Sequence, residues 1–114
     1  MNVKKIDFLT DLSMIEDIED YNIDVLVELE DGFTCVVVVS TPKNYYWYME
    51  KENVNHYCGV PDIIVKKITE EIVTEAIKDY AKDDAYWLKS YYLPGVIDIE
   101  TLNQLIKTIK EDQA

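Results

Sequence analysis

The sequence predicts an α+β fold, and three features of the chain point to it. Two runs of β-branched and apolar residues flank Asp31-Gly32, a dipeptide typical of tight hairpin turns, so residues 21–40 are expected to form a central β-hairpin. Residues 69–81 and 99–111 carry apolar side chains at helical spacing. The chain is therefore predicted to form a small, mostly antiparallel sheet with three to four helices packed on one face, as a single domain over residues 1–114.

The central hairpin determines the expected core. A two-residue turn at Asp31-Gly32 requires positive φ at the glycine and fixes the register of the two strands. In that register the buried face combines apolar residues of both strands: Ile23, Val25, Val27, Leu29, Val36 and Val38. The second strand is apolar on both faces, which indicates a position inside the sheet.

The elements before the hairpin are short. Residues 3–9 are expected to form a first strand. Ser13 and Glu16 match the capping-box pattern, in which the two side chains satisfy free amides at a helix start. A short helix is therefore predicted from about Met14 to Asp20.

After the hairpin, helices alternate with one further strand. Thr41 as N-cap and Pro42 at the first helical position predict a helix that runs to about Lys51. Residues 62–68 follow a glycine- and proline-containing loop and are expected to form a strand.

Three helical segments complete the chain. Two acids in the first turn and a regular apolar spacing predict a helix that begins at Thr69. A second helical segment is expected over residues 85–93, with Asp83 and Asp84 as its candidate cap, and ends before Pro94. The last helix is expected over residues 99–111, with Asp98 as its cap. Its apolar stripe comprises Ile99, Leu102, Leu105, Ile106 and Ile109.

The charge distribution narrows the possible functions. The chain has 23 acidic residues against 11 basic ones, all lysines, and a net charge of −12. No basic residue lies between Lys5 and Lys43, and ten carboxylates fall in that gap. Phosphate binding requires clustered bases, so direct nucleic-acid binding is disfavoured. The acidic region is expected to be either a solvated face or a binding face for a basic partner.

Other composition features suggest where the protein acts. No apolar run is long enough to span a membrane, and the start of the chain lacks a signal-peptide pattern. Two cysteines are too few for a disulfide framework and fit a reducing compartment. A cytoplasmic protein without membrane association is expected, as a monomer or homodimer.

Catalytic motifs are sparse. His56 and Cys58 form a His-x-Cys pair in a loop, but a zinc site needs four ligands at recognisable spacing. The chain has three glycines and no phosphate-binding loop. No metal or cofactor is therefore predicted, and the protein is not expected to be an enzyme. One alternative stays open, an enzyme of unrecognised type that uses carboxylates near His56 and Cys58.

Aromatic residues form two clusters on predicted helices. One cluster covers residues 45–48 and the other covers residues 86–92. Four consecutive aromatic residues on one helix cannot all face the core, because successive side chains are about 100° apart. The exposed ones, with Trp47 and Tyr48 as candidates, have the composition of a protein-binding surface.

These features favour a small protein-interaction module. In size and charge the chain is similar to small acidic bacterial immunity proteins and to inhibitors of nucleases and defence systems. Such a protein is expected to occlude a basic partner, such as a toxin, nuclease or defence-system protein, by mimicking nucleic acid. The candidate partner-binding residues are Glu16, Asp17, Glu19, Asp20, Asp24, Glu28, Glu30, Asp31, Trp47 and Tyr48. The second alternative is a structural subunit or homodimer built through the exposed aromatic helices.

Overall fold

The computed structural model describes residues 1–113, which form one four-stranded sheet and four α-helices. The strands, in order across the sheet, are β1 (Val3–Phe8), β2 (Asn22–Leu29), β3 (Thr34–Ser40) and β4 (Ile63–Ile64). The helices are α1 (Pro42–Glu52), α2 (Glu70–Tyr80), α3 (Lys82–Tyr92) and α4 (Ile99–Asp112), with 3-10 turns at Leu12–Met14 and Leu93–Gly95. The first three strands are antiparallel and β4 is parallel to β3, so the predicted α+β class is confirmed.

The central hairpin forms as predicted, but its turn has three residues where two were expected. The amide of Leu29 donates to the carbonyl oxygen of Phe33 at 2.8 Å, which leaves Glu30, Asp31 and Gly32 in the loop. Gly32 has a φ of 90°, the positive value that the sequence predicted. The Asp31 carboxylate stabilises the loop by accepting the amide of Phe33 at 3.0 Å.

The longer turn shifts the register by one residue, and the predicted burial of Val36 and Val38 is wrong. Asp24 lies opposite Val38 in the sheet. Side chains alternate with period two, so a shift of one residue moves every side chain of β3 to the other face. The apolar residues of β3 that are buried are Cys35, Val37 and Val39. Val36 is 48% exposed on the outer face of the sheet.

The core lies between one face of this sheet and the helices α2 and α3. From the sheet it receives the buried residues of β2, β3 and β4, and residues 65 and 68 extend it. From the helical layer it receives Val73, Ile77, Ala81, Ala85 and Leu88. The interior position of β3 follows from its two neighbours, β2 and β4, and confirms the interpretation of its two apolar faces.

Two predicted elements are absent or shorter. Residues 15–20 form no α-helix, because the carboxylates of Asp11 and Asp17 each accept the amide two residues ahead and favour tight turns. The predicted strand over residues 62–68 contracts to β4. Its partner β3 ends at Ser40, where the chain enters α1, so no strand edge remains for further pairing.

The first turn of α3 is left-handed. Asp83, Asp84 and Ala85 have φ values of 53°, 57° and 60°. Asp83 and Asp84 were predicted to cap this helix, and only Ala85 was predicted to lie within it. This conformation costs about 1–2 kcal/mol for each residue with a Cβ. Ala85 is fully buried, and its packing in the core offsets part of that cost.

Helix α4 begins after Asp98, which caps it as predicted by accepting the amide of Thr101 at 2.7 Å. The helix contains no buried residue, and its apolar stripe faces solvent. The radius of gyration is 16.5 Å, whereas a compact chain of about 100 residues measures about 13 Å. Among residues 1–113, no helix has both the length and the apolar character needed to cross a bilayer.

Candidate functional site

Five of the predicted partner-binding residues line a single groove of about 590 Å³. We call it the acidic groove, and its lining consists of Met14, Glu16, Asp17, Asp20, Tyr21, Asn22, Asn44, Trp47 and Tyr48. The turn after the first 3-10 segment supplies the three carboxylates, and α1 supplies the two aromatic rings. Residues about 30 positions apart in the sequence thus form one surface.

The floor of the acidic groove is held by a chain of side-chain hydrogen bonds. Asn22 donates to the Oδ1 atom of Asn44 at 2.9 Å, and Asn44 donates to the Oδ1 atom of Asp20 at 3.2 Å. Asn44 is only 8% exposed and lies in the first turn of α1, where Thr41 accepts its amide. Asp20 is therefore fixed relative to both β2 and α1.

Asp17 is held in the charged state. Its Oδ1 atom accepts the amide of Glu19 at 3.0 Å, and its Oδ2 atom lies 3.3 Å from the ammonium of Lys43. The hydrogen bond from Glu19, followed by the interaction with Lys43, lowers the pKa of Asp17 below its usual value. The carboxylate at this edge of the groove thus stays ionised to a lower pH than an ordinary aspartate.

The aromatic wall of the groove already contacts a cation from its own helix. Trp47 and Tyr48 pack edge to face, with ring centroids 4.8 Å apart, and both rings are exposed. The ammonium of Lys51 lies 5.0 Å from the centroid of Trp47 and 6.0 Å from that of Tyr48. This geometry is a cation–π interaction, and it shows that both rings are accessible to a positive group.

The other candidate acids lie outside the acidic groove. Glu19 is exposed on the turn that supplies Asp17 and Asp20, but it does not line the groove. Asp24 is exposed on β2. Glu28 lies 3.4 Å from the ammonium of Lys4. The carboxylate of Glu30 accepts the amide of Asn2 at 3.1 Å.

The last candidate acid, Asp31, is 3.0 Å from the ammonium of Lys89. Lysines from other parts of the chain thus pair with three of the ten carboxylates in the base-free stretch, namely Asp17, Glu28 and Asp31. The ten carboxylates of this stretch are therefore spread over several parts of the fold, with three in the groove and four on the hairpin.

A second concave site, of about 510 Å³, lies beside the groove and includes both His56 and Cys58. We call it the histidine cleft, and it shares Asn22, Asn44 and Tyr48 with the acidic groove. Its other lining residues are Val38, Ser40, Tyr45, Met49, Glu52, Val54, Tyr57 and Asp62. Cys35 lies in the core, where burial raises the pKa of its thiol, and does not contribute to the cleft.

Sequence reasoning did not identify the polar residues that shape the histidine cleft. Ser40 donates to the Oδ2 atom of Asp62 at 2.7 Å, and the amide of Asp62 donates to the hydroxyl of Tyr45, also at 2.7 Å. Burial raises the pKa of Tyr45, so its phenol stays neutral. Tyr45 also packs edge to face on Tyr57 at 4.9 Å. These contacts join α1 to the loop that precedes β4, a pairing without a local signal in the sequence.

Among the residues that the structure describes, no group of three or more His, Cys, Asp or Glu side chains is arranged to hold a metal ion. Comparisons of the chain with protein-family models, curated proteins and solved structures find no match.

Proposed function

We propose that this protein is a small acidic interaction module of the inhibitor or immunity type, which occludes a basic partner through the acidic groove. The observation that carries the proposal is the convergence of Glu16, Asp17 and Asp20 with the exposed rings of Trp47 and Tyr48. Carboxylates beside exposed tryptophan and tyrosine offer both ion pairing and flat apolar contact to a lysine or arginine side chain.

The contact between Lys51 and the two rings indicates how a partner is recognised. An ammonium already occupies one face of the aromatic wall, within 5.0 Å of Trp47. A partner lysine or arginine approaches the same wall from the groove side, where the three carboxylates lie. Tryptophan and tyrosine at the centre of an interface commonly provide much of its binding energy, while surrounding charges accelerate association.

The partner class follows from charge. A chain with a net charge of −12 repels nucleic acid and attracts a cationic surface. Toxins, nucleases and defence-system proteins that bind nucleic acid carry such surfaces in their channels and active sites. Carboxylates and aromatic rings in the groove take the positions of phosphates and bases, and the partner is inhibited because its channel is filled.

The test compares two triple variants that change the net charge equally. One is Glu16→Gln, Asp17→Asn and Asp20→Asn, in the groove. The matched control is Asp24→Asn, Glu28→Gln and Glu30→Gln, outside it. Asparagine retains the acceptor oxygens that Asp17 and Asp20 use in the fold.

The immobilised wild-type protein is first used to capture a basic partner from an extract of the native host at about 0.05 M salt. The partner is then released at about 0.5 M salt, which screens the attraction between the charges. Association and dissociation rates are then measured with the purified partner. We expect the groove variant to associate at least about tenfold more slowly than the control, because its lost charges face the partner. Equal rates for both variants, with unchanged melting temperatures, would reject the acidic groove as the binding face.

A further inference from the structure

The histidine cleft has the size and the lining of a small-molecule site. Its volume is about 510 Å³, and proteins usually hold small ligands in pockets of about 300–1,000 Å³. Apolar and aromatic side chains form much of its lining, namely Val38, Tyr45, Tyr48, Met49, Val54 and Tyr57. Apolar walls on which a few polar groups converge are typical of sites that bind organic molecules.

The cleft lies on the outer face of the sheet, away from the core. Its floor is Val38, which alternates along β3 with the fully buried residues Val37 and Val39 and therefore points to the opposite face. The loop residue Val54, which also lines the cleft, is 41% exposed. Substitutions of such exposed lining residues leave the core intact.

Backbone and side-chain hydrogen bonds hold the walls of the cleft in place. Asn53 ends α1 in a left-handed conformation, and the amide of Val54 donates to the carbonyl oxygen of Met49 at 3.0 Å. This bond turns the chain back over α1. The hydroxyl of Tyr57 donates to the carbonyl oxygen of Val60 at 3.0 Å, and its ring packs on α1. Walls that are already in place reduce the entropic cost of binding a ligand.

The charges of the cleft favour a cation. Asp62 and Glu52 place two carboxylates on its lining, which includes no lysine, and only His56 among the lining residues can carry a positive charge. The ion pairs within residues 1–113 join other acids to Lys4, Lys43, Lys82 and Lys89. Neither carboxylate of the cleft is therefore neutralised by a lysine. An anionic ligand is repelled from such a site, whereas an ammonium gains charged hydrogen bonds.

The tyrosines add aromatic surface beside these carboxylates. The faces of aromatic rings attract positive groups, and three tyrosines line the cleft: Tyr45, Tyr48 and Tyr57. Tyr48 already lies 6.0 Å from the ammonium of Lys51. Rings next to carboxylates fit a molecule that combines a flat apolar body with an amino group.

We propose that the histidine cleft binds a small organic cation of the arylalkylamine class. The ammonium lies beside Asp62 and Glu52, and the aromatic body packs on Val38 and the tyrosines. The inference does not rest on partner binding by the acidic groove, which includes neither of these two carboxylates. A metal ion fits poorly as the occupant, because the described residues hold no group of three or more ligand side chains arranged for one.

The experiment titrates the isotope-labelled full chain with three probes of similar shape and follows the amide chemical shifts. The probes are phenethylammonium, phenethyl alcohol and phenylacetate, and the salt concentration is about 0.15 M to screen non-specific attraction. We expect phenethylammonium to shift the amides of residues 54–62 saturably, with a Kd of about 1 mM or lower. Phenethyl alcohol should bind at least about tenfold more weakly, and phenylacetate should not bind measurably, because neither forms an ion pair.

A pair of double variants tests where the amine binds. Glu52→Gln with Asp62→Asn removes both charges from the cleft, and asparagine retains the acceptor oxygen that Ser40 uses. The matched control is Glu16→Gln with Asp17→Asn, which changes the net charge equally in the acidic groove. We expect the cleft variant to bind phenethylammonium at least about tenfold more weakly than the control, which should match the wild type.

A second pair of variants does not depend on the hydrogen bonds of Asp62. Val54→Lys adds a positive charge to the cleft at an exposed residue and should weaken phenethylammonium binding at least about tenfold by repulsion. Val60→Lys is the control, because Val60 is 45% exposed in the same loop but does not line the cleft. This pair decides the test if the double variant in the cleft melts at a lower temperature.

Four results would overturn the inference. One is the absence of saturable binding up to about 20 mM amine. Another is equal affinity for phenethylammonium and phenethyl alcohol, which would make the cleft an apolar site. Weaker binding in the groove variant alone would place the amine in the acidic groove. Shifts of the cleft amides only after addition of the captured basic protein would assign the cleft to that protein.

Discussion

At the scale of single residues, short-range hydrogen bonds to aspartate decide where the chain turns. Asp11, Asp17 and Asp31 each accept the amide two residues ahead. Hydrogen bonds lower the pKa of all three carboxyl groups, first from the Ser13 hydroxyl and then from the amide for Asp11, and first from the amide for Asp17 and Asp31. A carboxylate that stabilises a turn in this way is a stronger acid in the folded chain than in the unfolded one. Each turn therefore becomes sensitive to acid.

Asp31 provides a pH test of this effect. The amide of Phe33 and then the ammonium of Lys89 lower the pKa of Asp31 below its usual value of 3.8. Because the folded pKa is depressed, the contribution to stability is complete above the usual value and is lost as the pH falls through the folded pKa. We expect the wild type to melt above Asp31→Asn at pH 7, with the difference closing below about pH 4.

Thermal melts of both proteins at a series of pH values check this prediction. Subtracting the two curves removes the effect of the other 22 acidic residues, which titrate in both proteins. A difference that grows as the pH falls would contradict the assigned hydrogen bonds.

At the scale of secondary-structure elements, the left-handed first turn of α3 is a costly local conformation. Three consecutive residues with a Cβ, Asp83 to Ala85, occupy the region that favours glycine. The turn persists because it delivers Ala85 and Leu88 into the core, where both are fully buried.

Glycine substitution should reveal this strain. Asp84→Gly should raise the free energy of unfolding by about 1 kcal/mol, because Asp84 is exposed and glycine adopts positive φ without steric cost. Glu75→Gly in the regular helix α2 is the control and should lower the free energy of unfolding by about 1 kcal/mol. Urea unfolding of both variants measures the two effects. A loss of stability in Asp84→Gly equal to that of the control would indicate a right-handed conformation at this position.

At the scale of the whole molecule, the fold separates a packed body from an unpacked helix. Two leucines compare these settings directly. Leu88 in α3 is fully buried in the body, and Leu102 in α4 is half-exposed on the unpacked helix. Leu88 therefore removes more apolar area from water on folding than Leu102 does.

The same substitution at both positions measures this separation. Leu88→Ala should lower the free energy of unfolding by about 2–5 kcal/mol, since it leaves a cavity in the core. Leu102→Ala should change it by less than about 0.5 kcal/mol, because α4 contributes no buried residue to the core. Equal losses in urea unfolding would mean that α4 packs on the body in solution.

Local patterns in the sequence predict much of the fold. The apolar alternation of residues 21–40 predicts the hairpin, and Gly32 has the positive φ that its turn requires. Thr41 and Asp98 cap helices as expected, because a capping side chain bonds to an amide only three residues ahead. The apolar spacing of α4 is also visible in the sequence, whereas its exposure is not.

Tertiary structure decides what depends on contacts between distant residues. One extra residue in the turn exchanges the buried and exposed faces of β3, although the periodicity of the strand is the same in either register. The base-free stretch also gains positive partners from outside it, because three of its carboxylates form ion pairs with Lys4, Lys43 and Lys89. The acidic groove arises only when the turn before β2 meets α1 through Asn44. Sequence periodicity reports neighbours along one element, and sites like this one are made by neighbours from different elements.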